Sequence, residues 1–493
     1  MSKKYPTGLI FLFFTEMWER FSFYGISAII VLYMTKELHM ADDAAYLAFG
    51  AYTAFSFMTP ILGGFVADKV LGLRRSVVIG GIFILIGNAV LALGGGLSPL
   101  FVGLSCVALG TGFLKSTVSV MVGKLYKEGD AYRDSGYTLF YMGINVGALL
   151  ATIFVGAVFE SYKGTRGFYL SAAGMLLGLI TFFLGRKHYN NEADGFKREN
   201  VFKNSFVLPN IIWIVMGTFA LGATMYYLFQ HPGQTKQVIS YLGLAIVAGI
   251  IGLAFSFKEK RERNSILGIL VIIIAAVCYH ALIGKQIYGS VNLLVERDFD
   301  RSVFGHELPA SYFGQGANSL VVILLAGVLA WIWAKLADKG KNPAIPSKIV
   351  IALCLAVVSA FMLAWLARGV GLSGVKSSAL WVAVAITILT LGELNILPMG
   401  LSAASALAPK RYASMLMGSW FLTSSLGGYF AGYFSSLASV DKARVNDLAY
   451  TGMTYYGLYW RCAAGLAVVT VLMFIAKPAM KKLMVAPVAE FKG

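Results

Sequence analysis

Glu16, Glu19 and Arg20 fall close together in the run TEMWERFSFYG. On a helix the four-residue spacing puts Glu16 and Arg20 on one face, with Glu19 beside them. The run is flanked by apolar residues and continues to about Tyr33. Two acids with one base leave a surplus negative charge, so either a second cation is supplied or one acid holds a proton. Lys115, alone among apolar neighbours in GTGFLKSTVSV, is a candidate for that cation. The chemistry available to such a set is proton exchange at a surplus carboxylate; the alternative is a static ion-pair cluster that fixes helix packing. Glu393 stands apart in ITILTLGELNILPMG, with no basic residue near it in sequence and Pro398 following. A cationic ligand would supply its missing charge. One half of the chain therefore offers cations and the other an anion, and a zwitterion with separated charges suits that arrangement.

Uncharged polar residues extend both sets. Asn145 lies in FYMGINVG, Gln286 and Asn292 in KQIYGSVN, and Asn318 begins a later apolar run. Each reads either as a ligand group or as an interhelical hydrogen bond, the latter worth about 0.6 kcal/mol. Tyr24, Tyr141 and Trp420 could line a pocket or simply pack. Lys285 either snorkels outward or faces a cavity beside Gln286. His280 reads as a packing residue or a proton relay.

These residues sit on elements that composition makes plain. Of 493 residues, 58% are hydrophobic and 13% charged, about half the charged share of a soluble protein. An ionisable side chain at mid-membrane costs from about 2.5 to more than 10 kcal/mol, so such residues face cavities and have partners. Spans of the roughly 20 apolar residues that a bilayer requires fall near 8–33, 46–67, 74–95, 99–122, 137–158, 167–184, 209–230, 238–257, 266–294, 317–337, 348–369, 380–407, 413–437 and 456–476. The reading is an all-α polytopic membrane protein with fourteen transmembrane helices. A soluble enzyme, a disordered chain and a disulfide scaffold are excluded. Cys106, Cys278, Cys354 and Cys462 all lie in apolar runs with no CxxC spacing, which removes the zinc and redox readings.

An even number of spans puts both termini on one side. With the N-terminus cytoplasmic, inner segments carry 27 Lys/Arg against 11 outside, as the positive-inside rule requires. The net charge of +17 then reads as topology and contact with anionic lipid rather than nucleic-acid binding. The chain also repeats itself: GGFVADKVLGLRR after the second span is matched by AKLADKGKNPAIPSK after the tenth. Asp68-Lys69 and Asp338-Lys339 thus occupy equivalent helix ends. Six helices, two extra and six related ones is the pattern of a transporter built from two halves. The expected partition is 1–190 for the N-terminal half, 191–264 for a polar linker and the extra pair, 265–483 for the C-terminal half and 484–493 for a cytoplasmic tail. Walker A, HExxH and GxSxG patterns are absent, so neither an ATP-driven pump nor a hydrolase has its signature.

TEMWERFSFYG resembles the ExxERFxYYG signature of the proton-coupled oligopeptide transporters, the POT or PTR family. GGFVADKVLGLRR, GFLKSTVSVMVGKLY, FYMGINVGALL, LGELNILPMGLS and MGSWFLTSSLGGYFAG resemble further stretches of that family along the whole chain. The resemblance implies a major-facilitator fold with the bacterial type of extra helix pair. It implies a symporter of the inner membrane that imports di- and tripeptides with protons, uses no cofactor, has no nucleic-acid partner and acts as a monomer. Residue by residue, it makes Glu16, Glu19, Arg20 and Lys115 the proton-coupling set, with Arg20 and Lys115 also at the peptide carboxylate. Glu393, Asn145 and Asn318 would hold the amine end, and Tyr24, Gln286 and Trp420 would line the pocket. The sequence departs from the pattern at Phe23, at Phe57 in place of a second-helix tyrosine, at Ser319, and at Ser27 and Gln286. Those last two stand where many members have a gating ion pair. The family supplies no role for Lys285.

Overall fold

The computed structural model describes residues 5–127, 132–189, 201, 204–205, 208–407 and 413–484. Most of the polar linker expected to open the 191–264 segment, and the tail from residue 485 onward, lie outside the described residues.

The chain is almost entirely helical, because in hydrocarbon a backbone N–H or carbonyl can be satisfied only within its own segment. The helices are α1 (Thr7–Leu32), α2 (Asp42–Val66), α3 (Leu73–Leu93), α4 (Leu97–Lys124), α5 (Arg133–Tyr162), α6 (Arg166–Leu184), α7 (Asn210–Gln230), α8 (Pro232–Ser256), α9 (Lys260–Tyr279), α10 (Ser290–Asp298), α11 (Ala317–Asp338), α12 (Ile345–Ser373), α13 (Leu380–Leu407), α14 (Ala413–Ser436) and α15 (Leu448–Leu483). Among the described residues, twelve helical segments are long and apolar enough to cross a membrane. Helix α1 has 26 residues and is long enough to cross as well, but Glu16, Glu19 and Arg20 interrupt its apolar run. Short strands pair only as two-residue ribbons in connections, such as Phe299–Asp300 beside Ser377–Ser378. Asp68 and Lys69 lie in a π-helical turn, Ala67–Leu71, that ends at Gly72 with φ 77°. Asp338 closes α11, and Gly340 follows with φ 66°. Both turns use a left-handed glycine, where a side chain would strain the backbone.

The chain divides into two compact units, Met1–Met40 with Phe55–Pro232, and Ala41–Ala54 with Gly233–Gly493. In the first, α1 packs against α5 and α6, and α3 lies along α4. Small residues permit these approaches, as is usual where lipid provides no hydrophobic drive between helices. A Cβ on Gly80 would stand 2.6 Å from the carbonyl of Gly110. A Cβ on Gly147 of α5 would strike the carbonyl of Met17 on α1, one turn before Arg20. Helix α7 joins this unit against α4, with the hydroxyls of Tyr226 and Ser98 2.7 Å apart.

In the second unit α12 packs along α13 and α15. The opening turns of α2 belong here. Asp42 accepts two hydrogen bonds from Arg297, at 2.6 and 2.9 Å, and one from the Val440 backbone at 3.1 Å. Arg297 also reaches the Tyr455 hydroxyl at 3.2 Å. Further along α2, a Cβ on Gly50 would stand 3.2 Å from the Cα of Gly432, and Ser425 donates to the Ala54 carbonyl at 2.9 Å. A Cβ at Gly432 would overlap the Tyr46 carbonyl. Gly432→Leu is therefore expected to unseat the start of α2, at a cost of about 1–3 kcal/mol from overpacking. Thermal unfolding of the purified protein should show a lowered Tm; an unchanged Tm would mean the seam is not tightly packed.

At the end of α10, burial pushes the Asp298 carboxyl from 3.8 up to about 6, against the opposing pull of Thr451, Arg297 and Lys376. The folded state therefore prefers the protonated form. The cost of the charged form is absent below 3.8, grows through the interval, and is complete above about 6, on the order of 3 kcal/mol. Asp298→Asn should raise Tm at pH 7.5, with the difference from wild type closing toward pH 4. A constant difference across that range would remove Asp298 as the source.

Candidate functional site

The first unit holds a buried charge cluster on α1. Glu16, Glu19 and Arg20 are all 2% exposed or less. The Arg20 guanidinium donates through Nε and through Nη2, the latter at 2.6 Å, to the two oxygens of Glu19. Its Nε also stands 3.3 Å from Glu16 Oε1. Glu19 is thus clasped on both oxygens, the strong bidentate geometry of a guanidinium and a carboxylate. Glu16 is held on one side only. Among the described residues its Oε2 is buried with no hydrogen-bond partner. A buried carboxylate oxygen left so is costly unless it carries a proton or receives a donor.

Lys115 on α4 acts electrostatically on Glu16. Its Nζ lies 3.8 Å from the centroid of the Phe57 ring, a cation–π contact worth about 2 kcal/mol when desolvated. Phe57 in turn meets Phe23 edge-on at 6.1 Å, and Phe23 lies 5.1 Å from the Arg20 guanidinium. The two aromatic departures from the family pattern therefore line the cations of the cluster. Tyr24 packs on Phe23 and interacts with Arg20. Asn145 is half-buried on α5, its amide 3.4 Å from the Tyr141 carbonyl. Ser27 is buried, its hydroxyl bonded to the Phe23 carbonyl at 3.0 Å.

The second unit gathers around Glu393 on α13. Asn318, in the first turn of α11, donates to Glu393 Oε2 at 2.6 Å and to Thr390 Oγ1 at 3.0 Å. Tyr279 donates to the Leu389 carbonyl at 3.1 Å, one turn below Glu393, and ties α9 to α13. After Tyr279 the helix widens into a π-helical turn, His280–Gly284. Such a turn inserts a residue and re-aims those that follow, and it is frequent at functional sites. Lys285 comes directly after it and interacts electrostatically with Glu393. Sequence reasoning left Glu393 without a cation because Lys285 is remote in the chain; only the juxtaposition of α9 and α13 supplies it.

Gln286 and Trp420 sit deeper. Gln286 is 1% exposed. Its amide nitrogen bonds the Leu282 carbonyl at 3.1 Å, and its oxygen accepts from Ser290 at 2.5 Å. Ser290 also receives the Tyr459 hydroxyl at 3.0 Å. Trp420 is buried, with its ring filling the space where a Cβ on Gly400 would stand. His280 is buried in the π turn, and among the described residues neither ring nitrogen has a hydrogen-bond partner. Sequence reasoning missed Thr390, Tyr279 and the pair of Asp42 with Arg297; an acid opening one helix and an arginine closing another are signals too common to single out.

The family model described as POT family matches residues 74–451, most of the chain. The chain belongs to the POT family. The match covers the helices that carry Lys115, Asn145, Asn318 and Glu393. The peptide transporter YePEPT of Yersinia enterocolitica is 32% identical over 97% of this chain and 95% of its own length. A di-/tripeptide transporter of Lactococcus lactis subsp. cremoris is also 32% identical, over 97% and 96%. A crystal structure of the peptide transporter POT in complex with sulfate superposes with TM-score 0.84 at 30% identity, covering 97% of this chain and 96% of that one. This POT-family chain is a membrane transporter, not an enzyme.

Proposed function

We propose that this chain is a symporter that imports di- and tripeptides with protons across the bacterial inner membrane, with both termini in the cytoplasm, as a monomer and without a cofactor. The observation that carries the reading is Glu16, held by Arg20 on one oxygen and, among the described residues, without a hydrogen-bond partner on the other. A proton arriving there neutralises the surplus charge of the α1 set; Lys115 offers its charge either to Glu16 or to the carboxylate of a bound peptide. Glu16, Glu19, Arg20 and Lys115 form the coupling set, and Arg20 and Lys115 meet the peptide carboxylate. Glu393, oriented by Asn318, takes the amine, with Tyr24, Asn145, Gln286 and Trp420 shaping the remainder. The two extra helices are read as an insertion between two six-helix halves at 191–264. Alternating access by the halves is the transport step proposed for this architecture. The names of the relatives in Yersinia and Lactococcus support the substrate class.

An inward-directed proton gains about 2.3 kcal/mol per 100 mV of inside-negative potential, enough to accumulate peptide. The test is uptake of radiolabelled Ala-Ala into proteoliposomes with and without an imposed inward proton gradient. Accumulation above the outside concentration only with the gradient is expected. Uptake that ignores the gradient would remove the proton, and no uptake of any di- or tripeptide would remove the substrate class.

A further inference from the structure

Two arginines of the second unit stand on helix faces that are otherwise apolar and open. On α12, Phe361, Trp365 and Leu372 are each more than half exposed, and Arg368 lies exposed among them. On α15, Trp460, Val468, Val471 and Leu472 form a similar face, interrupted by exposed Arg461. Among the described residues neither arginine has an acidic partner. The two helices run antiparallel in close contact: a Cβ on Gly452 would stand 2.6 Å from the Gly371 nitrogen. This places the Arg368 guanidinium 5.8 Å from the Tyr456 ring centroid and Phe361 6.0 Å from Trp460. Arg368 is about 14 Å from the middle of α12 along its axis, at the edge of a hydrocarbon core about 30 Å thick. Beside it, between the end of α12 and the start of α13, runs a groove of about 440 Å³ walled by Trp365 and Trp381 and reaching Ser377. Gly369 keeps one wall low, since an added Cβ would meet nothing within 4 Å.

We propose that this groove is a binding site for one anionic phospholipid, with its phosphate on Arg368 and an acyl chain laid along Phe361 and Trp460. The proposal is independent of the peptide-transport reading. A guanidinium facing lipid is costly unless an anion or water meets it, and at the headgroup level the anion at hand is a phosphate. A guanidinium matches phosphate oxygens with two parallel donors. The tryptophans suit the same level, where an amphipathic ring has one apolar and one wet side. Charge complementarity selects the lipid. Arg461 lies about 7.5 Å deeper than Tyr456 along α15, and its stem can carry the charge back toward the headgroups. No acid lines the groove. The nearest one in the fold, Asp300 on the strand beside Ser378, accepts from the Ser302 backbone at 2.9 Å and is acted on by Lys376. A headgroup amine, as in phosphatidylethanolamine, would therefore bring a cation to a place already in cationic excess. A headgroup with net negative charge, as in phosphatidylglycerol, offsets that excess.

The test is native mass spectrometry of the full chain in detergent, titrated with dioleoylphosphatidylglycerol or dioleoylphosphatidylethanolamine. Wild type, Arg368→Gln, Arg368→Lys and Lys477→Gln are compared. Lys477, on the far part of α15, controls for general attraction between a basic protein and an anionic lipid. Wild type is expected to bind the first phosphatidylglycerol about tenfold more tightly than phosphatidylethanolamine, the gain of one charge-assisted contact. Arg368→Gln should erase that preference while leaving the weaker phosphatidylethanolamine binding as it was, which also shows that the variant is folded. Arg368→Lys should keep most of the preference, and Lys477→Gln all of it. Equal affinity of wild type for the two lipids overturns the proposal without need of any variant. So does a preference that survives in Arg368→Gln, or one that Lys477→Gln reduces as much as Arg368→Gln does.

Discussion

Lys115→Ala is expected to abolish gradient-driven peptide accumulation while leaving the protein in the membrane. Lys115 is the cation of α4 that acts on Glu16, and its ammonium is seated on Phe57. Removing it leaves two acids facing one guanidinium that is already committed to Glu19. Glu16 is then expected to keep its proton through the cycle, because only the Arg20 Nε, shared with Glu19, remains to balance its charge in a buried setting. A carboxyl that never releases its proton cannot couple. Folding should survive, since alanine leaves no unpaired charge of its own on α4. Lys115→Arg keeps the charge and the cation–π contact and should retain part of the coupling. The measurement is Ala-Ala uptake with and without an inward proton gradient, alongside counterflow, which needs no gradient. Accumulation at the wild-type rate in Lys115→Ala would show that Lys115 has no share in coupling.

Glu393→Gln is expected to weaken peptides with a free amine by roughly 10- to 150-fold, the loss of a charge-assisted bond worth about 1.5–3 kcal/mol. N-acetylated peptides should change little, because they bring no ammonium. The glutamine oxygen can still accept from Asn318, so the local hydrogen bond at 2.6 Å need not be lost and the defect should read as ligand recognition rather than misfolding. Lys285 sharpens the expectation. With Glu393 neutral, the Lys285 ammonium loses that counter-charge and repels an incoming amine. Competition curves for Ala-Ala and N-acetyl-Ala-Ala measure the difference directly. Equal weakening of both would take Glu393 out of amine recognition.

Much of this was legible because a membrane writes its demands into sequence. Apolar runs of about 20 residues must be helices, and the charge bias of their connections gives a topology. Ionisable residues inside such runs are rare enough that Glu16, Glu19, Arg20, Lys115 and Glu393 stood out one by one. Spacing alone put Glu16 and Arg20 on one face, where they meet at 3.3 Å. What spacing could not say is which acid the arginine grips. Glu19 takes both donor groups and Glu16 takes one, a choice made by rotamers in a packed interior. The missing gating ion pair shows the same limit. Sequence reasoning looked at Ser27 and Gln286 and found no charges. The structure bonds Ser27 to its own helix and Gln286 into a buried hydroxyl network, and separately pairs Asp42 with Arg297, which sequence reasoning had not joined.

By itself, then, the sequence determined a helical, membrane-spanning transporter of the POT family with an acid–base cluster on its first helix and a separate acid late in the chain. These follow from local rules: hydrophobic length, helical period, and the cost of burying charge. Packing alone decided that Asn318 bonds one oxygen of Glu393 while Lys285 acts on the same carboxylate, that Lys115 rests on Phe57, and that glycines at 50 and 432 bring α2 against α14. Each of those joins segments far apart in the chain, and the π-helical turn before Lys285 changes its direction by an amount no regular period contains. Contacts of that kind arise from how helices pack, and packing is a property of the assembled surfaces rather than of any one run of residues.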